Sequence, residues 1–263
     1  MMTHHSSPQA ATKAASSRRV LAYHEIFDGP TQDVYQITPE RFLAHIAAAT
    51  QTARKHRVEL EVTFDDGHAS HVSNAAPLLE SVGLRGIFFI PAANIGIGGS
   101  TASWPDLRAL QAKGHGMGSH GNTHILLTGC SDRELREELV RSRLTLEDKL
   151  GVPVLTISMP GGRWDARVAA ACKEAGYKQL YSSQPGAALP TSHVGFAGFT
   201  VSGRLAVLRR TRIKTLRHYI AGDPIQCASL IAQFHLRSAV KHLVGDRVYG
   251  AVWRHAVRTA PTT

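Results

Sequence analysis

Cysteine is almost missing from this chain of 263 residues: the three present, Cys130, Cys172 and Cys227, form no CxxC pair. A disulfide-stapled scaffold and a zinc ribbon are therefore excluded, and the free thiols lead us to expect a reducing, cytoplasmic compartment. Uninterrupted apolar runs are missing too. The charge-free stretch from Gly86 to Pro105 is broken by Pro91, Asn94 and several glycines, so it cannot cross a bilayer as a helix. Residues 1–18 have neither an apolar core nor any periodicity, and we expect a disordered N-terminus without a secretory signal. The phosphate loop GxxxxGK[ST] and the nucleophile elbow GxSxG do not occur, which turns the reading away from P-loop and serine-hydrolase chemistry.

Acids are scarce, with 20 Asp+Glu against 30 Lys+Arg and a formal net charge of +10. The imbalance is local. From Thr200 to Thr263, eleven Lys/Arg face only Asp223 and Asp246. Such asymmetry suits a surface that meets phosphate, above all an anionic membrane, or else is simply a solvated basic helix face. Aromatic residues are too sparse among these charges for stacking on bases, so nucleic acid is not expected.

What is present is a rhythm of short apolar strands and amphipathic helices. Strands are expected at 19–23, 58–64, 86–90, 154–158, 178–181 and 205–213, and helices at 39–55, 78–82, 105–113, 165–175 and 228–244. Ser131 with Glu134 forms a capping box that opens a long helix to Leu150. A second C-terminal helical piece is expected at 249–257. Strands alternating with helices imply an α/β architecture with a mostly parallel sheet. We expect one domain over 19–213, followed by a basic helical extension over 214–263.

Three segments carry chemistry. Thr63-Phe64-Asp65-Asp66-Gly67 ends a strand on two adjacent carboxylates, where α/β sheets place their sites. Their side chains point in different directions, so one can bind a cation while the other stays free. Ser119-His120-Gly121-Asn122-Thr123-His124 has two histidines at i and i+4, which face one way if the segment makes a helical turn. Asp66, His120 and His124 together are a carboxylate plus two imidazoles, an open catalytic metal set rather than a closed structural one. Ser158-Met159-Pro160-Gly161-Gly162-Arg163-Trp164 puts successive glycines at a strand end, where a backbone N–H can approach an oxyanion. His115, and the Tyr23-His24 pair near the first strand, are weaker signals.

In this order, TFDDG, then GHxxGSHxxxH over 114–124, then a Pro-Gly strand end, the chain resembles the NodB-homology polysaccharide deacetylases (carbohydrate esterase family 4) over roughly 19–213. The resemblance implies a distorted or incomplete (β/α) barrel. It implies that Asp66, His120 and His124 hold a divalent metal, zinc first and Co2+, Ni2+ or Mn2+ after it. It makes Asp65 the general base and the Gly161 N–H an oxyanion donor, with His24, Trp104 and Arg163 near the substrate. The expected activity is removal of N-acetyl groups from a sugar or glycan, such as a lipid-linked or cell-surface polysaccharide intermediate. A small cyclic amide or ureide is the alternative substrate, and a non-catalytic glycan binder the second alternative. The basic C-terminus would then contact membrane or a glycosyltransferase partner. Three positions depart from the family pattern. Ser158 stands where an arginine often orients the base, a task we assign to Arg163; Gly121 stands where Ser or Thr is common; and no late Leu-x-x-His strand supplies a general acid, for which His24 or water is the substitute.

Overall fold

The computed structural model describes residues 17–31, 33–186 and 198–244, with side chains through residue 239. The expected helix at 249–257 and almost all of the expected disordered N-terminus lie outside those residues. Ser17 and Arg18 are described, and Arg18 already belongs to the first strand.

Eight strand segments form one parallel sheet: β1 (Arg18–Tyr23), β4 (Glu59–Phe64), β5 (Gly86–Ile90), β6 (Gly116–Ser119), β7 (Thr156–Ser158), β8 (Gln179–Ser182), β9 (Thr200–Gly203) and β10 (Leu205–Ala206). A small separate pair, β2 (Glu25–Ile26) and β3 (Gln36–Ile37), lies beside it. The order is β10-β1-β4-β5-β6-β7-β8-β9. Only Arg204 separates β9 from β10, yet β9 pairs with β8 while β10 pairs with β1. One segment bent at Arg204 thus joins the two sheet edges and nearly closes the barrel.

The helices α1 (Pro39–His56), α2 (Ala76–Ser81), α3 (Trp104–Ala112), α4 (Asp132–Leu150) and α5 (Ala166–Glu174) follow the strands and cover the outside. Their starts obey local chemistry. Thr38, Ser103, Ser131 and Asp165 each accept a backbone N–H in the first turn, and both Ser103/Asp106 and Ser131/Glu134 close full capping boxes. Strand alternation sorts the apolar side chains. Leu21, Phe64, Phe88 and Leu180 face the helices in the main core, whereas Val20, Phe89 and Tyr181 form a smaller cluster of their own within the barrel.

Three sequence expectations change. The strand expected at 205–213 ends at Ala206, because Leu208 N–H and Thr211 Oγ1 bond across a turn at 2.8 Å. A helix, α6 (Ile213–Ala221), follows, and it buries Leu216, Tyr219 and Ile220 against the main core. The expected boundary at 214 therefore falls inside a helix that is part of the barrel wall. The last helix, α7 (Pro224–Val244), starts four residues earlier than the periodicity suggested, where Asp223 Oδ1 accepts the Gln226 N–H at 2.9 Å.

Candidate active site

β4 runs straight into the site. Asp65 N–H extends the ladder by donating to the Tyr23 carbonyl at 3.0 Å, and then the chain turns sharply, with Asp66 at φ 75° and Gly67 at φ 64°. The turn separates the two carboxylates as the sequence implied. Asp65 points into the barrel and is 2% exposed; Asp66 points toward the histidine loop.

Asp65 meets Arg204. The guanidinium donates through Nη1 to Asp65 Oδ1 at 2.8 Å and through Nη2 to Oδ2 at 2.7 Å, a bidentate fork. The remaining donors are used as well: Thr63 Oγ1 at 3.1 Å, Ser158 Oγ at 2.7 Å and the Ser182 carbonyl at 3.2 Å. Arg204 is fully buried, with Phe89 and Tyr181 rings 5.4 and 6.0 Å from its guanidinium carbon. Burial alone would raise the Asp65 carboxyl, but Arg204 and His120 outweigh it and bring the pKa from 3.8 down to about 2. The Asp65 carboxylate is therefore ionised and held in one orientation. Arg163 does not do this, so the task we assigned it belongs to Arg204. Ser158 is small and leaves room for a guanidinium arriving from another strand.

Asp66, His120 and His124 converge, with one ligand atom from each within 4.8 Å of the others. They do so from a loop rather than the helical turn the i, i+4 spacing suggested, with Gly121 at φ 74° and His124 at φ 63°. His120 Nδ1 lies 2.9 Å from the Ser158 carbonyl, an acceptor, so Nδ1 carries the proton and the Nε2 lone pair faces Asp66 Oδ1 at 3.3 Å. His124 Nε2 lies 3.0 Å from the same oxygen. Asp66 Oδ1 is buried, yet no donor is directed at it well enough to make a hydrogen bond. Lone pairs that converge without donors fit a cation between them, and one carboxylate plus two imidazoles is a donor set suited to zinc.

The remaining candidates separate into two groups. Gly161 is exposed at φ 66°, where a side chain is strained, and a Cβ there would come within 2.6 Å of Leu126 Cδ2, which would have to move aside. His24 follows β1 at the same barrel end, with its ring 4.3 Å from that of Tyr35, its Nδ1 buried without a partner, and its carbonyl accepting from His71. Its pKa is lowered, chiefly by burial and partly against the pull of Asp66 and Asp65, which places it in their field. Trp104 instead opens α3 and packs on the main core. Among the late histidines whose side chains are described, His218 is paired with Asp223 at 2.9 Å and His235 is exposed on α7.

Sequence reasoning missed Arg204 and also His68, whose Nε2 is 3.8 Å from Asp66 Oδ2. Arg204 did leave a signal. It is the single Lys, Arg, Asp or Glu between Lys178 and Arg209, set among buried strand residues, and an isolated charge in such text needs a partner.

The nearly closed parallel β/α barrel carries two carboxylates and a histidine pair at the C-terminal ends of its strands, where barrel enzymes place their active sites. Residues 35–180 match the family model for polysaccharide deacetylase, and the chain belongs to that family of enzymes. Among relatives, YxkH of Bacillus subtilis (strain 168), itself named for this family, is 22% identical over 194 residues, covering 67% of this chain and 68% of that one. The fold also matches solved structures. A polysaccharide deacetylase from Bacillus cereus, BC0361, superposes with a TM-score of 0.67 at 21% identity, covering 78% of this chain and 69% of that one. The deacetylase PplD of Streptococcus pyogenes, solved with acetate, gives 0.67 at 16% identity over 78% and 98%. IcaB from Ammonifex degensii gives 0.65 at 21% identity over 78% and 97%.

Proposed function

We propose that this protein is a divalent-metal-dependent N-deacetylase that hydrolyses the acetamide of an N-acetylated sugar within a glycan. The observation that carries the reading is the division of labour between neighbours: Asp66 joins His120 and His124, while Asp65 is held apart and ionised by Arg204. Asp66, His120 and His124 would hold the metal, zinc in the first instance. When bound, the ion polarises the acetamide carbonyl and makes water acidic enough to attack near neutral pH. Asp65 then takes the proton of the attacking water. The Gly161 N–H donates to the oxyanion that develops on the carbonyl. The proton that Asp65 takes from water is returned to the departing amine, passed on by His24, which lies in the electrostatic field of the same carboxylates. Arg204 supplies the base-orienting charge that Ser158 lacks, which answers one of the two motives for a non-catalytic reading, the other being the absent late histidine.

The test is metal content followed by turnover. Purified protein should hold about one zinc per chain, lost in His120→Ala/His124→Ala, and the loaded wild type should release acetate from N-acetylglucosamine oligomers. Absence of metal after reconstitution with zinc or cobalt rejects the reading.

The basic C-terminus supports a peripheral membrane role on the cytoplasmic side. α7 contains no acid from Pro224 to Val244 and leaves Ile225 and Leu236, eleven residues apart and so on one face, 82% and 67% exposed. Among the described residues no helix is long and apolar enough to cross a membrane. Cosedimentation with phosphatidylglycerol vesicles, but not with phosphatidylcholine alone, is expected; equal pelleting with neither removes the membrane role and leaves a glycosyltransferase contact as the remaining use of this face.

A further inference from the structure

Among the described residues, the non-glycine positions with positive φ are Arg57, Asp66 and His124. Arg57 caps α1, where a left-handed residue is ordinary. The other two are candidate metal ligands. Such backbone is strained and persists only where its surroundings over-determine it.

For His124 the restraint comes from α4. Glu138 Oε2 accepts the N–H groups of Asn122 and Thr123 at 2.8 and 3.0 Å, and Oε1 accepts the Thr123 hydroxyl at 2.6 Å. One carboxylate thus holds the two residues immediately before His124. Glu138 is only 7% exposed, and all of its hydrogen bonds among the described residues go to this loop. One turn further along α4, Ser142 Oγ donates to the Gly121 carbonyl at 2.8 Å and lies 2.6 Å from Ser119 Oγ, which accepts the Gly121 N–H at 3.1 Å. The i, i+4 spacing puts Glu138 and Ser142 on one helix face, so α4 grips the loop at both of its ends. Gly121 explains itself here: its φ of 74° favours glycine, and a Cβ would come within 3.4 Å of Glu138 Oε2.

We propose that Glu138 is a positioning residue that presets the left-handed His124 for cation binding, so that the loop does not have to be ordered by the metal itself. The proposal rests on the metal reading of the site. α4 itself does not depend on Glu138, because Leu135, Leu139, Leu146 and Leu150 bury its other contacts. The loss therefore falls on the loop.

The test compares zinc affinity of metal-free wild type, Glu138→Ala, Glu138→Gln and Thr123→Val, by competition with a chromophoric chelator. Circular dichroism and thermal midpoints in EDTA report the fold separately, and the visible spectrum of the Co2+ forms reports ligand geometry. Glu138→Ala is expected to weaken zinc by roughly 10–100-fold, as other groups that orient metal ligands do, and to change the cobalt spectrum. Glu138→Gln, nearly isosteric but with one acceptor oxygen, should fall between. Thr123→Val should fall within about threefold of wild type, because both backbone bonds survive. Wild-type affinity and an unchanged cobalt spectrum in folded Glu138→Ala or Glu138→Gln overturn the proposal. Wild type that binds neither zinc nor cobalt overturns the metal reading as well, a result distinct from equal binding by all four proteins.

Discussion

Replacing Arg204 by Met keeps much of its volume and removes its charge, and the structure sets the cost. Five hydrogen bonds disappear, two of them to a carboxylate that is 2% exposed. A buried ion pair broken on one side costs about 3–5 kcal/mol, because the remaining charge has no solvent and no partner. In a chain of this size that corresponds to a fall of roughly 6–20 °C in thermal midpoint. Arg204→Met/Asp65→Asn removes the stranded charge as well and should recover a large part of the loss, while remaining inactive. The pH dependence has a definite sign. Asp65 is lowered from 3.8 to about 2, so its contribution, about 2 kcal/mol, is complete above pH 4 and is lost as pH falls through 2. In Arg204→Met burial is no longer opposed by the guanidinium, the carboxyl pKa rises, and the sign reverses: the variant recovers stability as pH falls and the stranded carboxylate takes up a proton. Differential scanning calorimetry of wild type, both single variants and the double variant from about pH 2 to pH 8 measures all of this. If Arg204→Met is as stable as the double variant at pH 7, Asp65 is not a stranded charge and the coupling is refuted.

Gly161→Ala should cost about 1–3 kcal/mol in backbone strain and force Leu126 aside; an unchanged acetate-release rate in this variant removes Gly161 from the oxyanion site. His24→Gln is expected to slow acetamide hydrolysis by roughly 10²–10⁴-fold, yet to spare an activated aryl acetate, whose leaving group needs no proton. Equal losses on both substrates would give His24 a binding role instead. Arg204→Lys keeps a charge but not the fork, so it should stay closer to wild type in stability than in activity, as paired melting and turnover measurements will show.

The parts of this protein that could be read from the chain are those whose cause is local. Period-two and helical spacing located β1, β4, β5, β7, β8 and the helices α1, α3 and α5, though not β6, β9 or α6, and Ser131 with Glu134 marked the start of α4, because caps and amphipathic faces depend on neighbours a few residues away. Asp65 extends the β4 ladder and Asp66 begins the left-handed turn behind it, and this local break separates the two carboxylates. The motifs also sufficed to bring Asp66, His120 and His124 together on paper. The geometry that joins them did not follow, since the i, i+4 spacing suggested a helix while Gly121 and the left-handed His124 make a loop.

What only the tertiary structure decided is how the base is held and how the barrel closes, and one residue does both. Arg204 lies 139 positions from Asp65, and nothing in its own neighbourhood states which strand it will face. It reaches the carboxylate because β9 and β10 pair with opposite edges of the sheet and turn the guanidinium between them into the barrel. Glu138 is a similar case, one of two adjacent glutamates on α4, Glu137 exposed and Glu138 buried against the histidine loop. In both cases a charged residue gains its meaning from a partner distant in the chain, since a buried charge is stable only where folding supplies its hydrogen bonds.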